Sequence, residues 1–148
     1  MSDQAQQKSV KYKINAVELL NLEMKHPADS NVDFSVFHFD MKLQHRVNSE
    51  KKLVFVITNV TVLSQDKNTQ IGALQTSCIF QVDNFEDLTD AENNIKFPDT
   101  FLDEINGMAI STTRGIMYSE FKGTFMHKAV LPVFKSENLR KNSNNEEK

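Results

Sequence analysis

The sequence predicts an α+β fold in which a four-stranded antiparallel sheet is followed by one long helix. Up to about residue 82, apolar side chains recur with the two-residue period of a β-strand, in four segments separated by short polar turns. After residue 84 the apolar period becomes that of a helix. A chain of 148 residues is most simply one domain with a substantial core.

The first two predicted strands cover residues 10–26 and 37–47. In the first, the alternation breaks at residues 17–19, which indicates either a β-bulge or a strand exposed to two environments. The second alternates regularly, and its apolar face carries Phe37, Phe39, Met41, Leu43 and Val47. A turn over residues 26–31 joins the two strands, so we expect their apolar rows to lie side by side.

The third and fourth predicted strands cover residues 53–63 and 70–82. The third is rich in β-branched residues and apolar on both faces in its first half, as is typical of a central strand. Turns of five to seven residues separate the strands, so antiparallel pairing is expected. One helix covers about one face of such a sheet, and a partner subunit is the simplest cover for the other face.

The helix is predicted within residues 97–123, after a short helix or ordered loop at residues 85–94. Pro98 and the acidic residues that follow it are typical of a helix start, while Lys122 and Gly123 are typical of a helix end. The residues that recur at helical spacing are Phe101, Ile105, Met108, Thr112 and Ile116.

A stripe of small side chains runs along the same helix. Its members, four residues apart, are Gly107, Ser111, Gly115 and Ser119. Small residues at this spacing let another backbone approach closely. The stripe predicts either close packing on the chain's own sheet or a helix–helix contact between subunits.

The sequence contains no motif that supports an enzyme. It has no phosphate-binding loop, no nucleophile elbow and no zinc-protease motif, so we expect neither catalysis nor a cofactor. His38 and Asp40 share a strand face but have no third ligand at a metal-like spacing. We interpret His26, His45 and His127 as isolated surface or turn residues, and Cys78 as a small buried apolar side chain.

Charge and hydropathy suggest a cytoplasmic protein. The net charge of −3 argues against nucleic-acid binding. The first ten residues have no apolar region typical of a signal peptide, and no apolar run is long enough to span a bilayer, so stable membrane insertion is not expected. We expect flexible tails at residues 1–9 and 140–148 around one domain over residues 10–139.

The segment GTFMHKAVLPVF, residues 123–134, carries a resemblance to a known family. Its Gly-Thr-Phe at the end of the helix, followed seven residues after the Phe by Pro-Val, resembles SecB, the protein-export chaperone of bacteria. The residues that match are Gly123, Thr124, Phe125, Pro132 and Val133. Weaker matches are Ile79-Phe80, Met41-Lys42-Leu43 and Val60-Thr61-Val62. The resemblance implies that this segment links the long helix to a short C-terminal helix.

The resemblance also implies a function and an assembly. SecB-like proteins are ATP-independent chaperones that bind unfolded preproteins in exposed apolar grooves, keep them export-competent and form a homotetramer, a dimer of dimers. SecB docks on the translocase motor SecA through acidic residues, but the matching positions here are Asn21, Lys25 and Ala73, so SecA is left open as a partner. A SecB-like chaperone of another pathway, such as the toxin–antitoxin type, and a small apolar-ligand carrier are the alternatives.

Composition agrees with polypeptide binding, since the chain has 11 Phe and 6 Met but no Trp. Flexible apolar side chains adapt to many client sequences, although each of them is also an ordinary core residue. The residues that we expect to bind clients are Tyr12, Leu20, Leu22, Phe39, Met41, Leu43, Phe125 and Val130.

Overall fold

The structure, a computed structural model, describes residues 9–28 and 34–134. Its strands are β1 (Tyr12–Met24), β2 (His38–Asn48), β3 (Leu53–Leu63) and β4 (Gln70–Val82). A short 3₁₀ turn (Phe85–Leu88) follows, and then helix α1 (Asp99–Phe121). The predicted four strands and long helix are confirmed. The expected tails, apart from Ser9, and the expected C-terminal helix lie outside the described residues.

The four strands form one sheet in the order β1-β4-β3-β2, and every neighbouring pair is antiparallel. Strands β2, β3 and β4 are consecutive neighbours, while β1 lies beside β4, which is a Greek-key arrangement. The expectation that the apolar rows of β1 and β2 lie side by side is therefore wrong, because these strands are the two edges of the sheet. Strand β4 is buried on both faces, and its backbone is paired on both edges, with β1 and with β3.

Strand β1 carries two irregularities in its pairing with β4, between Ile14 and Ala16 and between Leu19 and Asn21. They confirm that the break in alternation marks bulges. Between them, Val17 pairs with Cys78, which lies on the side of the sheet that α1 covers. The apolar residues of β1 do not follow a strict two-residue alternation, and the bulges keep their side chains on the side of the sheet that α1 covers.

Helix α1 packs across β3 and β4. Pro98 precedes its first residue, and Gly123 adopts a φ of 77° just after its end, which confirms both predicted boundaries. The helical residues that are buried are Phe101, Ile105, Asn106, Ala109, Ile110, Thr113, Met117 and Phe121. Met108, Thr112 and Ile116 are only half-buried, so the predicted inward face was partly wrong. The small Ala109 side chain, completely buried, faces the sheet instead.

The core consists of two apolar clusters under the two halves of α1. The N-terminal cluster includes Val56, Phe80 and Ile105, and the C-terminal cluster includes Val60, Leu74 and Met117. The clusters pack against opposite halves of the helix, so each half of α1 has its own apolar contact with the sheet.

Polar side chains lie beneath α1 as well. Thr76 and Thr113 share a buried hydrogen bond of 2.8 Å between their hydroxyl oxygens. His45 Nε2 lies 2.6 Å from Oδ1 of the buried Asn106. The interpretation of His45 as an isolated surface residue was therefore wrong. His45 lies on the same strand face as Leu43, and that face looks toward the helix.

The opposite face of the sheet has a small apolar centre. Ile57 and Ile79 lie there and are 8% and 7% exposed, although α1 lies on the other side. Their paired neighbours include long polar side chains such as Gln44, whose methylene groups can cover an apolar surface. The single chain therefore buries these two residues itself. Their burial does not require the partner subunit that we expected to cover this face.

Candidate functional site

Immediately after α1 the chain reverses in a segment that we call the strap, residues 122–134. Gly123 supplies the left-handed conformation that the reversal needs. The backbone N–H and the hydroxyl of Thr124 both donate to the carbonyl of Phe121, at 3.0 and 2.7 Å, and Met126 N–H donates to that hydroxyl at 3.1 Å. The Gly-Thr pair is thus the cap of the helix and the start of the strap.

Three strap side chains anchor it in the C-terminal cluster. Met126, Ala129 and Leu131 are completely or almost completely buried. Met126 packs directly over Gly72 of β4, where a Cβ would lie 2.5 Å from the Met126 terminal methyl. Because residue 72 is glycine, the Met126 side chain of the strap has space to pack against β4.

Arg114 of α1 holds the far end of the strap. Its Nε donates to the carbonyl of Leu131 at 2.7 Å, and its Nη2 donates to the carbonyl of Pro132 at 2.8 Å. The strap thus runs back along the helix from which it came. A charged donor on two backbone carbonyls is stronger than a neutral pair and fixes the position of this segment.

The strap also presents apolar side chains outward. Val130 is 50% exposed and Val133 is 89% exposed. Phe125 is half-buried in an aromatic cluster with His26, whose ring centroid is 4.8 Å away, and Phe34, at 5.2 Å. His26 and Phe34 are 5.4 Å apart. The interpretation of His26 as isolated was therefore wrong, since it joins the end of β1 to the strap.

Most of the predicted client-binding residues contact the same part of the core. Leu22, Phe39, Met41, Leu43 and Phe125 are half-buried and pack against the C-terminal cluster. We group these residues with Phe34, which packs against the same cluster, and with the exposed Val130 of the strap, and we call the group the strap surface. Its residues are Leu22, Phe34, Phe39, Met41, Leu43, Phe125 and Val130.

Two of the predicted client-binding residues lie apart from the strap surface. Leu20, in the second bulge of β1, is 47% exposed. The ring of Tyr12 packs edge-on against Phe80 and Phe101 of the other cluster. Its hydroxyl donates to Glu104 Oε2 at 2.6 Å. Burial, and then the hydrogen bond and charge of Glu104, raise the pKa of Tyr12 to about 12.

Sequence reasoning missed several members of the site. His26 and Phe34 lie on either side of the β1–β2 connection, which was interpreted as a turn alone. Their signal was weak, because a ring in an irregular segment has no periodicity to mark it. Val133 was noted only as part of the Pro-Val match, although it is the most exposed large apolar residue in the described part of the chain.

The small-residue stripe faces away from the sheet. Gly107, Ser111, Gly115 and Ser119 are all exposed, and within the described residues no atom outside the helix's own backbone lies within 4 Å of a Cβ built at either glycine. Packing of the stripe on the chain's own sheet is therefore excluded. Exposed apolar residues of β1 lie on the same side of the sheet as the helix; they are Ile14, Val17, Leu19 and Met24.

The three positions aligned with the SecA-docking residues lie close together at one end of the sheet. Ala73 pairs with Glu23, and the Lys25 N–H donates to the Ile71 carbonyl at 2.9 Å. Asn21, two residues before Glu23, pairs with Gln75. The aligned positions thus share one region although none of them is acidic.

Other chemistry is limited in the described residues. No group of three His, Cys, Asp or Glu side chains there is placed to hold a metal ion. Cys78 is buried, as predicted, and burial raises the pKa of its thiol. None of the helices within these residues has the length and hydrophobicity that crossing a membrane requires.

Comparison with known proteins supports the fold. No protein-family model matches the sequence, and no curated protein matches it significantly. Among solved structures it is similar to the SecB-like chaperone Rv1957 of Mycobacterium tuberculosis, solved in complex with a ChAD peptide from the Rv1956 HigA1 antitoxin. The TM-score is 0.53 at 9% identity, over 84% of this chain and 85% of that chain. The chain therefore has a SecB-like fold.

Proposed function

We propose that this protein is an ATP-independent, non-enzymatic cytoplasmic chaperone that binds unfolded or precursor polypeptides on the strap surface. The observation that carries the proposal is that these apolar side chains are partly exposed to solvent. They are flexible and apolar, they come from four separate segments of the chain, and they remain partly exposed at the edge of a filled core. Such a surface accepts many apolar sequences because it requires no fixed polar geometry.

The expected affinity follows from the exposed area. Complete burial of a large apolar side chain is worth roughly 1.5–3 kcal/mol, so a half-buried one gains about 1 kcal/mol when a client covers it. Five or six such contacts give weak binding once the ordering cost of the client is subtracted. Tight holding of a long unfolded chain therefore requires several strap surfaces in one assembly, which raises the effective concentration.

We also propose a homotetramer, a dimer of dimers, as that assembly. The exposed stripe at Gly107, Ser111, Gly115 and Ser119 supports a helix–helix contact between subunits, because nothing in the described part of the chain fills the space beside its glycines. The exposed apolar residues of β1 add area next to α1. An edge strand of 13 residues with an apolar face also favours pairing with another chain.

The pathway that this chaperone serves is open between two candidates. Keeping preproteins export-competent is the first. The second is a toxin–antitoxin pathway, which is favoured by the antitoxin peptide bound to the similar mycobacterial chaperone. The absence of acidic residues at Asn21, Lys25 and Ala73 also weakens the case for SecA as a partner.

A carrier of small apolar ligands is less well supported. Such a carrier needs an enclosed cavity between sheet and helix. In the described residues this space contains large, completely buried side chains, among them Phe80, Ile105 and Met117. A fatty acid bound stoichiometrically, without any effect on aggregating proteins, would favour the carrier.

The test of the proposed function is suppression of aggregation. A slowly folding secretory precursor is diluted from denaturant with increasing chaperone and without ATP, and light scattering is followed. We expect suppression at a substoichiometric ratio of tetramer to precursor. Undiminished scattering at a large excess of chaperone would overturn the proposal.

A further inference from the structure

The turn that carries Phe125 is basic. Residues 122–128 read KGTFMHK and include no acidic residue, although the whole chain has a net charge of −3. The side chains of Lys122, His127 and Lys128 are exposed. No ion pair neutralises Lys122 within the described residues, since the salt bridge found there joins Lys52 and Glu86. A concentration of positive charge thus lies next to the apolar strap surface.

An open cavity of about 480 Å³ lies at this turn, lined by Tyr118, Lys122, Gly123, Thr124 and His127. Lys122 and Tyr118 supply its available donors, an ammonium group and a hydroxyl. The Thr124 hydroxyl is already engaged with the helix end, and His127 Nδ1 lies 3.1 Å from the Thr124 carbonyl, which orients the ring. Glu120, the nearest acidic residue in sequence, does not line the cavity.

The cavity and the aromatic cluster are adjacent. Thr124 lines the cavity, and the next residue, Phe125, packs in the cluster with His26 and Phe34. Consecutive Cα atoms are about 3.8 Å apart, and an extended ligand advances about 3.3 Å per residue. A ligand side chain that packs on Phe125 therefore places the side chain one to three residues away at the cavity.

We propose that the strap surface selects client segments in which an acidic residue lies within three residues of an aromatic or large aliphatic one. The apolar side chain packs on the aromatic cluster, and the carboxylate enters the cavity beside Lys122 and Tyr118. This inference rests on the proposed chaperone function and specifies its clients by charge. The cavity is open to solvent, so the carboxylate tunes affinity while apolar contacts supply most of it.

The test compares three fluorescent nine-residue peptides that share a central Phe and differ two residues away, where they carry Glu, Gln or Lys. Fluorescence anisotropy measures their affinities for the full-length protein. We expect the Glu peptide to bind about two- to fivefold more tightly than the Gln peptide, the range of an exposed ion pair. The Lys peptide should bind most weakly, and 0.5 M salt should remove the differences because it screens exposed charges.

Variants locate the effect. Lys122→Gln should abolish the preference for Glu over Gln, and Lys122→Glu should invert it. The matched control is Lys51→Glu in the β2–β3 turn. Strand β3 begins directly after that turn, and its first residue, Leu53, is nine residues from Val62, which pairs with Gly72. Met126 of the strap packs over Gly72. At about 3.3 Å per residue the turn therefore lies about 30 Å from the end of the sheet where the cavity is. The control should leave the preference intact, and circular dichroism should verify that every variant is folded.

Two results would overturn this inference without affecting the proposed function. The first is equal binding of all three peptides. The second is an equal effect of the Lys51 and Lys122 changes, which would mean that the preference arises from the net charge of the protein and not from the cavity. If neither the peptides nor an unfolded precursor bind, the proposed function fails instead. The neutral peptide and the precursor thus separate the two failures.

Discussion

The guanidinium of Arg114 donates a 2.7 Å hydrogen bond to the backbone carbonyl of Leu131, across 17 residues of chain. Leu131 is almost completely buried while its neighbour Val130 is half exposed, so this bond sets which face of the strap looks outward. The proposed client surface depends on that orientation, and each element that fixes it can be tested.

Replacing Arg114 should loosen the end of the strap. Arg114→Gln removes two charge-assisted bonds to backbone carbonyls, and we expect a loss of about 1–3 kcal/mol in the free energy of unfolding. Amide hydrogen exchange should accelerate at residues 129–134. Arg46→Gln, an exposed change on β2, is the matched control and should leave exchange in the strap unaltered.

Adding a methyl group at Gly72 should displace the strap from below. Gly72→Ala places a Cβ 2.5 Å from the terminal methyl of Met126; because that methyl is the end of a flexible side chain, the overpacking cost should be about 1 kcal/mol. In a Met126→Ala background the same change should cost much less, because the clashing group is gone. Chemical denaturation of the four proteins measures the coupling, and strictly additive effects would contradict the contact.

Strand β1 is tied to α1 by the bond between Tyr12 and Glu104, which has a defined pH dependence. The pKa of Tyr12 is raised to about 12 in the folded protein, above its ordinary value of 10.0. Its contribution to stability is therefore complete below about pH 10 and is lost as pH rises toward 12. The difference in unfolding free energy between the native protein and Tyr12→Phe should shrink over that range. A constant difference would mean that neither burial nor Glu104 raises the pKa of this hydroxyl.

The assembly can be tested at Gly115. Because no other part of the described chain lies within 4 Å of a Cβ at this position, Gly115→Leu should not destabilise the subunit. If the stripe is a subunit contact, the larger side chain should shift the protein toward smaller species in light scattering at micromolar concentration. A native protein that is itself a monodisperse 17.0 kDa monomer would argue against the tetramer.

The local pattern of the sequence predicted local structure well. The alternation of Phe39, Met41 and Leu43 predicted β2, and Gly123 marked the left-handed end of α1, since each depends on the nearest neighbours alone. The position of β1 could not be predicted in this way. Its partner is β4, about 50 to 70 residues further along the chain, and local alternation carries no information about a partner at that distance.

The candidate site was predictable in part. The apolar residues of β2 and the strap were identified by pattern and by resemblance. The aromatic cluster was not, because His26, Phe34 and Phe125 meet only after the strap has folded back across the end of the sheet. The contact of His45 with Asn106 was missed for the same reason, since it joins β2 to a helix 61 residues later.

Met41 and Leu43 are half-buried, which makes them unsuitable for a test of client binding alone. Their replacement by Ser would remove core contacts as well as client contacts, because both side chains pack against the C-terminal cluster. Exposed strap residues separate the two effects. Val130→Asp with Val133→Asp alters side chains that are 50% and 89% exposed, and the free energy of unfolding should change by less than about 0.5 kcal/mol.

Client binding by that double variant tests the central claim most directly. The affinity for an unfolded precursor is measured by fluorescence anisotropy for the native protein and for Val130→Asp/Val133→Asp, with thermal unfolding as the check on folding. Two charges on the outward side of the strap, one at Val130 of the strap surface and one at the neighbouring Val133, should weaken binding at least about tenfold, since each lost apolar contact is worth roughly 1 kcal/mol before the cost of burying a carboxylate is added. Unchanged affinity in a stably folded variant would contradict the account, because clients would then bind somewhere other than the strap.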